Sequence, residues 1–208
     1  WRALSGEKPD VYKTWLSEIM LQQTKVATVI SYYQNFIRKW PSLSSLADAT
    51  QDDVLRAWAG LGYYARARNL YACAQIVMHK YSGDFPDTEE GLRSLPGVGP
   101  YTAAAITAIA YNKPAVVVDG NAARVISRLF RVPKPIPEAQ TLLRELAANI
   151  TPQDRPGDYA QAIMDLGAVI CTPRSPKCIA CPWAEICEAR ATKTPEYWPR
   201  QRPKAKKP

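Results

Sequence analysis

Four cysteines crowd together near the end of the chain: Cys171, Cys178, Cys181 and Cys187, spaced C-x6-C-x2-C-x5-C. Thiols this close constrain the backbone, because a shared ligand would draw the whole segment around one point. Soft thiolate sulfurs hold zinc or iron–sulfur groups, and four from one short segment complete such a site. Disulfides are disfavoured: the chain has five cysteines, an odd number, and shows no signal peptide and no apolar membrane-spanning run. At 208 residues it buries a core without covalent staples. Zinc ribbons pair two C-x2-C knuckles across a longer loop, and only one such knuckle is present. The spacing leans towards iron–sulfur and leaves zinc open. Cys73 stands apart in a helical segment and reads as a small buried apolar residue.

Almost every other segment has helical periodicity. Residues 10–23 and 25–40 place apolar side chains at helical spacing, and Pro41 stops the second run. Thr50-x-x-Asp53 is a capping-box-like start for a helix ending near Gly60. Residues 65–81, 100–111, 121–130, 137–149 and 158–170 complete the helical set. The one strand-like run, residues 115–118, is too short to found a sheet. The chain is expected to be all-α.

The net charge of +8 suggests nucleic acid as a partner, but the charge is unevenly spread. Residues 190–208 hold seven basic residues against Glu196 alone, leaving only +2 for residues 1–189. A Pro- and Lys-rich tail is expected, with order fading after about Ala191. Any argument for DNA binding then rests on particular sites.

Leu95-Pro96-Gly97-Val98-Gly99-Pro100-Tyr101 is one such site. Gly97 and Gly99 let the backbone turn tightly, and Pro100 suits the first turn of a helix. Free amides at that helix start would seat a phosphate, although a G-x-G turn by itself is more often a plain corner between helices. Glu18 lies amid Trp15, Leu16, Ile19, Met20 and Leu21, where a carboxyl would be desolvated and would keep its proton, unless it faces solvent on an amphipathic helix. Asp119 precedes Gly120, so its default reading is a turn or helix cap.

An L-P-G-V-G turn in an all-α pattern, followed by C-x6-C-x2-C-x5-C, resembles the helix-hairpin-helix DNA glycosylases of the endonuclease III superfamily, over nearly the whole chain. Within it, Trp15-Leu-Ser-Glu18-Ile-Met-Leu-Gln22-Gln23-Thr24, Gly60-Leu61-Gly-Tyr63-Tyr64-Ala-Arg66 and Val118-Asp119-Gly-Asn121 are similar to segments of MutY-type adenine glycosylases. The resemblance implies a six-helix barrel domain, residues 8–113. It also implies a helical [4Fe–4S] domain, residues 114–190, on which residues 1–7 pack, and a basic linker or tail, residues 191–208. The chain would be a catalytic portion or a short relative lacking the C-terminal Nudix-like domain usual in the family.

The resemblance also assigns roles. Cys171, Cys178, Cys181 and Cys187 would hold the [4Fe–4S] cluster. Glu18 would be the general acid, Asp119 the carboxylate facing the sugar, and Tyr101 and Asn121 orienting groups. Gln22, Gln23, Thr24, Leu61 and Tyr63 would meet the lesion, and Gly97 and Gly99 a phosphate. Arg66 is read as a phosphate contact or a solvated side chain, and Arg174 and Lys177 as backbone contacts beside the cluster. The lyase branch carries lysine where Tyr101 stands, and a phenol forms no Schiff base, so a monofunctional glycosylase is expected. The expected partner is double-stranded DNA with adenine opposite 8-oxoguanine or guanine. A thymine- or uracil-mismatch glycosylase, or a non-catalytic DNA-binding module, are the alternatives. The expected form is a monomer with no membrane association, cytoplasmic or at the nucleoid, or nuclear or mitochondrial in a eukaryote.

Overall fold

The structure, a computed structural model, describes residues 9–201. The expected packing of residues 1–7, and Arg202, Lys204, Lys206 and Lys207 of the tail, lie outside the described residues. The described chain is helical and contains no strand. It divides into two compact units, one up to Lys113 and one from Pro114.

In the first unit, α1 (Val11–Leu21) starts where the Asp10 side chain accepts from the Lys13 amide, 3.1 Å away. Every residue from Thr14 to Met20 is buried, so α1 is a central helix covered on all sides. It packs against α2 (Val26–Lys39), α5 (Ala65–Tyr81) and α7 (Pro100–Tyr111). The alanines at 103–105, 108 and 110 on α7 let that helix lie close to it. Trp15, Trp58, Phe36, Leu46 and Leu70 fill the core. Trp15 and Phe85 meet at 5.1 Å between ring centres, and Phe36 and Trp40 at 4.9 Å.

Helix α4 (Gln51–Trp58) begins at Thr50, whose hydroxyl accepts from the Asp53 amide. Helix α5 ends at Ser82 in the left-handed region, with the Gly83 amide returning to the Val77 carbonyl. Two short helices were not anticipated. Pro41 does end α2, but Ser42 and Ser45 form a reciprocal capping box that opens α3 (Leu43–Ala47) at once. Thr88 caps α6 (Glu89–Arg93), the first arm of the hairpin.

The second unit holds α8 (Gly120–Leu129), α9 (Ile136–Ile150), α10 (Pro156–Asp165) and the short α11 (Glu188–Ala191). Val125, Ile126, Leu143, Ile163 and Leu166 form its core. Residues 115–118 are extended but unpaired, with Ala115 and Val117 buried. At its C-terminal end α10 widens into a π turn, Leu166–Ile170, which delivers the chain to Cys171. Gly167 is required there: a Cβ would lie 2.7–2.9 Å from the Asn121 backbone and Cβ.

The expectation that order fades after Ala191 is corrected. Residues 192–201 follow a defined path with a 3-10 turn at Pro195–Tyr197. Trp198 is 7% exposed, and its carbonyl accepts from Arg128 Nε at 2.8 Å. The Arg200 guanidinium lies over the Trp198 ring. Net charge concealed this, because the basic residues flank a single aromatic anchor. No helix among the described residues is long and apolar enough to cross a membrane.

Trp→Ala in a buried site costs about 3–5 kcal/mol, which here falls on a short terminal segment. Trp198→Ala is therefore expected to free this strap, so that trypsin cuts after Lys193 much sooner than in the unaltered chain. An unchanged digestion time course would contradict the anchoring role.

Candidate functional site

Glu18 sits near the middle of α1 and is 7% exposed. Its flanking residues, Ser17 and Ile19, are buried too, so the side chain belongs to the interior face and not to a solvated one.

Beyond α1 the chain turns through Gln22, Gln23 and Thr24. Gln22 is half-buried, and its Nε2 donates to the Gly97 carbonyl and to Thr102 Oγ1, both at 3.2 Å. This contact ties the end of α1 to the hairpin. Gln23 is exposed and takes the left-handed conformation, φ 56°. Thr24 Oγ1 donates to the Gln22 carbonyl.

The second turn, residues 59–64, is equally built. Trp58 Nε1 donates to the Gly62 carbonyl at 3.0 Å, and the Tyr32 hydroxyl to the Ala59 carbonyl at 2.9 Å. Tyr63 is 63% exposed with φ 49°. Tyr64 is exposed as well. Leu61 is buried in the core, which corrects its expected place on the exposed turn.

Arg66 is a second correction. It is buried, and its guanidinium is spent on the protein itself, not on a phosphate. Nη1 donates to the carbonyls of Ile19 (3.2 Å), Met20 (2.8 Å) and Gln22 (2.6 Å). Nη2 donates to Thr24 Oγ1 (3.0 Å) and to the carbonyls of Leu61 (3.2 Å) and Gly62 (3.3 Å).

In the hairpin, the Val98 amide returns to the Leu95 carbonyl and Gly97 takes φ 76°. A Cβ at Gly97 would also press on Asn69 Cβ at 3.0 Å. Gly99 is the N-cap of α7 with open space beside it, and Pro100 opens the helix. The first amides of α7 lack intrahelical partners by construction. Tyr101 is half-buried on this first turn.

In the second unit, Asp119 caps α8. Its Oδ1 accepts from the Ala122 amide at 2.6 Å and its Oδ2 from Asn121 Nδ2 at 3.2 Å. Asn121 Oδ1 in turn accepts from Arg124 Nη2 at 3.0 Å. Arg124 also donates to the carbonyls of Gly167 (2.7 Å) and Cys171 (2.8 Å). Sequence reasoning passed over Arg124. Its only signal was a basic residue three positions after Asn121 on a short helix.

The four cysteines Cys171, Cys178, Cys181 and Cys187 line one cavity, together with Arg128 and Arg190. None of the four is in a disulfide. Among the described residues no group of three or more His, Cys, Asp or Glu side chains is placed to hold a single metal ion. A tetrahedral zinc with Zn–S near 2.3 Å would need sulfurs about 3.8 Å apart. Four thiol sulfurs around one cavity suit a polynuclear group held at its corners as well. Burial pushes the Cys178 thiol up, the neighbouring Cys171, Cys187 and Cys181 push it further, and Arg128 draws it back down.

Arg128, 2% exposed, is the other buried cation. Its Nη1 donates to Cys171 Sγ at 3.3 Å and to the Thr172 carbonyl at 2.7 Å, and its Nη2 to the Pro173 carbonyl at 2.9 Å. This was also missed. Arg174 and Lys177, on the loop these bonds brace, are exposed as a phosphate contact requires. Cys73 is fully buried, and burial pushes its thiol up to about 12, as suits an inert core residue. His79 is exposed and pairs with Gln75.

The model of the HhH-GPD superfamily base excision DNA repair protein matches residues 16–152, and that of the iron–sulfur binding domain of endonuclease III matches residues 171–187. The chain is 45% identical to the adenine DNA glycosylase of Homo sapiens over 199 residues, covering 91% of this chain and 36% of that protein. It is 42% identical to the adenine DNA glycosylase of Buchnera aphidicola subsp. Baizongia pistaciae, covering 88% of this chain and 52% of that one. The chain thus spans between about a third and about half of these relatives' length. Among solved structures, a thermostable thymine-DNA glycosylase superposes with a TM-score of 0.79 at 30% identity, covering 90% of this chain and 87% of that one. A non-covalent endonuclease III–DNA complex superposes with a TM-score of 0.76 at 21% identity, covering 92% and 89%, which shows the fold alone.

Residues 171–187 are therefore an iron–sulfur segment for a [4Fe–4S] cluster, which Cys171, Cys178, Cys181 and Cys187 would hold. Arg128→Leu removes the donor to Cys171 Sγ and leaves buried carbonyls unpaired, each at about 1–3 kcal/mol. Iron and acid-labile sulfide per chain should fall with it, along with the broad visible absorbance. Cys73→Ser should leave both unchanged. Full cluster content in the Arg128 variant would remove the basis for its supporting role.

Proposed function

Because the chain belongs to the HhH-GPD superfamily of base excision DNA repair proteins, we propose that it is the glycosylase portion of an adenine DNA glycosylase. Its substrate would be adenine mispaired with 8-oxoguanine or guanine in double-stranded DNA. The observation that carries this reading is the buried carboxyl of Glu18 in the middle of α1. Burial of this kind disfavours the charged form, which is what a proton donor needs at neutral pH.

The steps follow from that. The mispaired adenine leaves the stack and enters the protein. Glu18 gives its proton to a ring nitrogen of the purine, and the bond from the base to the sugar breaks with its electron pair leaving on adenine. Positive charge develops on the sugar, as in other glycoside cleavages. Asp119, held by the Ala122 amide and Asn121, supplies the compensating negative charge. The Glu18 carboxylate then takes a proton from a water molecule, whose oxygen bonds to the sugar carbon. The product is an intact strand with an abasic site. Tyr101 and Asn121 orient these groups. The cluster takes no part in these steps.

Binding is distributed over elements already described. The open start of α7 beyond Gly97 and Gly99 suits a DNA phosphate. Arg174 and Lys177 add backbone contacts. Exposed Tyr63 and Gln23 offer the opposite base a stacking face and an amide, and an aromatic of this kind contributes about 1–3 kcal/mol. A thymine-mismatch substrate is the second reading, favoured by the superposition on a thymine-DNA glycosylase. The 45% identity to an adenine glycosylase weighs more.

Duplexes with A opposite 8-oxoguanine, A opposite G and T opposite G separate the two readings. Adenine release from the first two is expected, and thymine release alone would reverse the assignment. Glu18→Gln should abolish base release, lowering the rate by about 100-fold or more, with DNA affinity nearly unchanged. Retained turnover would remove Glu18 from its role. Borohydride added during turnover should trap no covalent protein–DNA product, since Tyr101 offers no amine. A strong trapped band would make the chain a lyase as well.

A further inference from the structure

The guanidinium of Arg66 binds two separate turns at once. One of its nitrogens holds the last carbonyls of α1 and that of Gln22, and the other reaches Thr24 and the Leu61 and Gly62 carbonyls. It lies over the Trp58 ring at 5.2 Å and the Tyr63 ring at 5.5 Å. Each turn carries one exposed non-glycine residue in the left-handed conformation, Gln23 in the first and Tyr63 in the second. A non-glycine residue held there costs on the order of 1–3 kcal/mol and persists only where surrounding contacts over-determine it. Arg66 is bonded to both turns.

We infer that Arg66 is the positioning residue for mispair recognition: it fixes the 22–24 and 61–63 turns in one geometry without reaching DNA itself. The inference rests on the proposed function for the identity of what the turns read. The planar fork explains why an arginine stands here. Its two terminal nitrogens diverge in one plane towards two sets of acceptors, whereas a lysine ammonium is a single point with three donors.

The test compares the unaltered chain with Arg66→Lys, Arg66→Gln and Tyr32→Phe. Tyr32→Phe removes one hydroxyl bond to the Ala59 carbonyl and leaves the 22–24 turn alone. Amide hydrogen exchange and affinity for A:8-oxoguanine and matched A:T duplexes are measured in all four. In both Arg66 variants, exchange at residues 22–24 and 61–64 should quicken together. Mispair affinity should drop about tenfold or more while matched-duplex affinity changes less than about threefold. Tyr32→Phe should loosen the second turn only. A merely structural role would weaken both duplexes alike and track the melting temperature.

The inference is overturned if either turn keeps its protection in both Arg66 variants, or if both loosen and discrimination survives. Should Arg66→Gln fail to fold, Arg66→Lys at reduced temperature decides. Adenine release by the unaltered chain is scored separately. Its absence would overturn the glycosylase reading, while exchange and the affinity ratio still judge Arg66.

Discussion

A helix that stops inside a protein leaves its last carbonyls without partners, and this fold answers that constraint with buried guanidinium groups. α1 ends under cover, so its terminal carbonyls cannot turn to water. Arg66 meets them from α5 with charged donors, and the first unit organises around that contact: Trp58 and Tyr63 stack on it, and both turns close on it. The second unit repeats the device. Arg128 and Arg124 reach from α8 to the carbonyls released as the π turn runs into Cys171. Arginine suits both places because it keeps its charge: burial lowers Arg66 from its ordinary value, but a guanidinium holds its proton far above neutral pH. The desolvation of such a cation is offset by several charge-assisted bonds at once, not by one carboxylate.

This explains why the cysteine segment can be so irregular. From Cys171 to Cys187 the chain has only short 3-10 turns, few of its own backbone bonds and several exposed apolar residues, Ile179 and Ile186 among them. A segment of this kind cannot hold itself by burial. A cluster held by the four cysteines would tie it at four points, and Arg128 ties it at Cys171, Thr172 and Pro173. The loop bearing Arg174 and Lys177 inherits its shape from those ties.

The long helices were legible because local chemistry marks their ends. Asp10, Thr50, Gly83 and Pro100 stand where caps, a left-handed exit and a first turn place them. The short helices α3 and α6 escaped notice because five residues show no periodicity, leaving only Ser42-x-x-Ser45 and Thr88-x-x-Gly91 as signals. Arg66 was misread by residue type, although position was informative. It stands four residues before Leu70, seven before Cys73 and eleven before Val77, all buried, so it occupies the apolar stripe of α5. A cation on that stripe is an internal bond-maker more readily than a surface contact. Trp198 was hidden in the same way by the charges on either side of it.

Glu18 and Asp119 differ by a cause that lies in the backbone. Glu18 is the eighth residue of an eleven-residue helix, where the amides around it are committed to carbonyls one turn back. The backbone of the helix therefore offers its carboxyl no amide of its own, and the side chain lies in the interior. Asp119 stands one residue outside α8, where the opening amides have no partners of their own, and it receives one of them at 2.6 Å. A carboxyl in mid-helix and a carboxyl at a helix start thus meet different backbone surroundings. Acid–base chemistry that needs one proton donor and one lasting anion can be assembled from such positions, with no residue type beyond Glu and Asp. In the proposed reaction, the quiet capping signature at residues 119–122 would bear as directly on reactivity as the conspicuous cysteines would on stability.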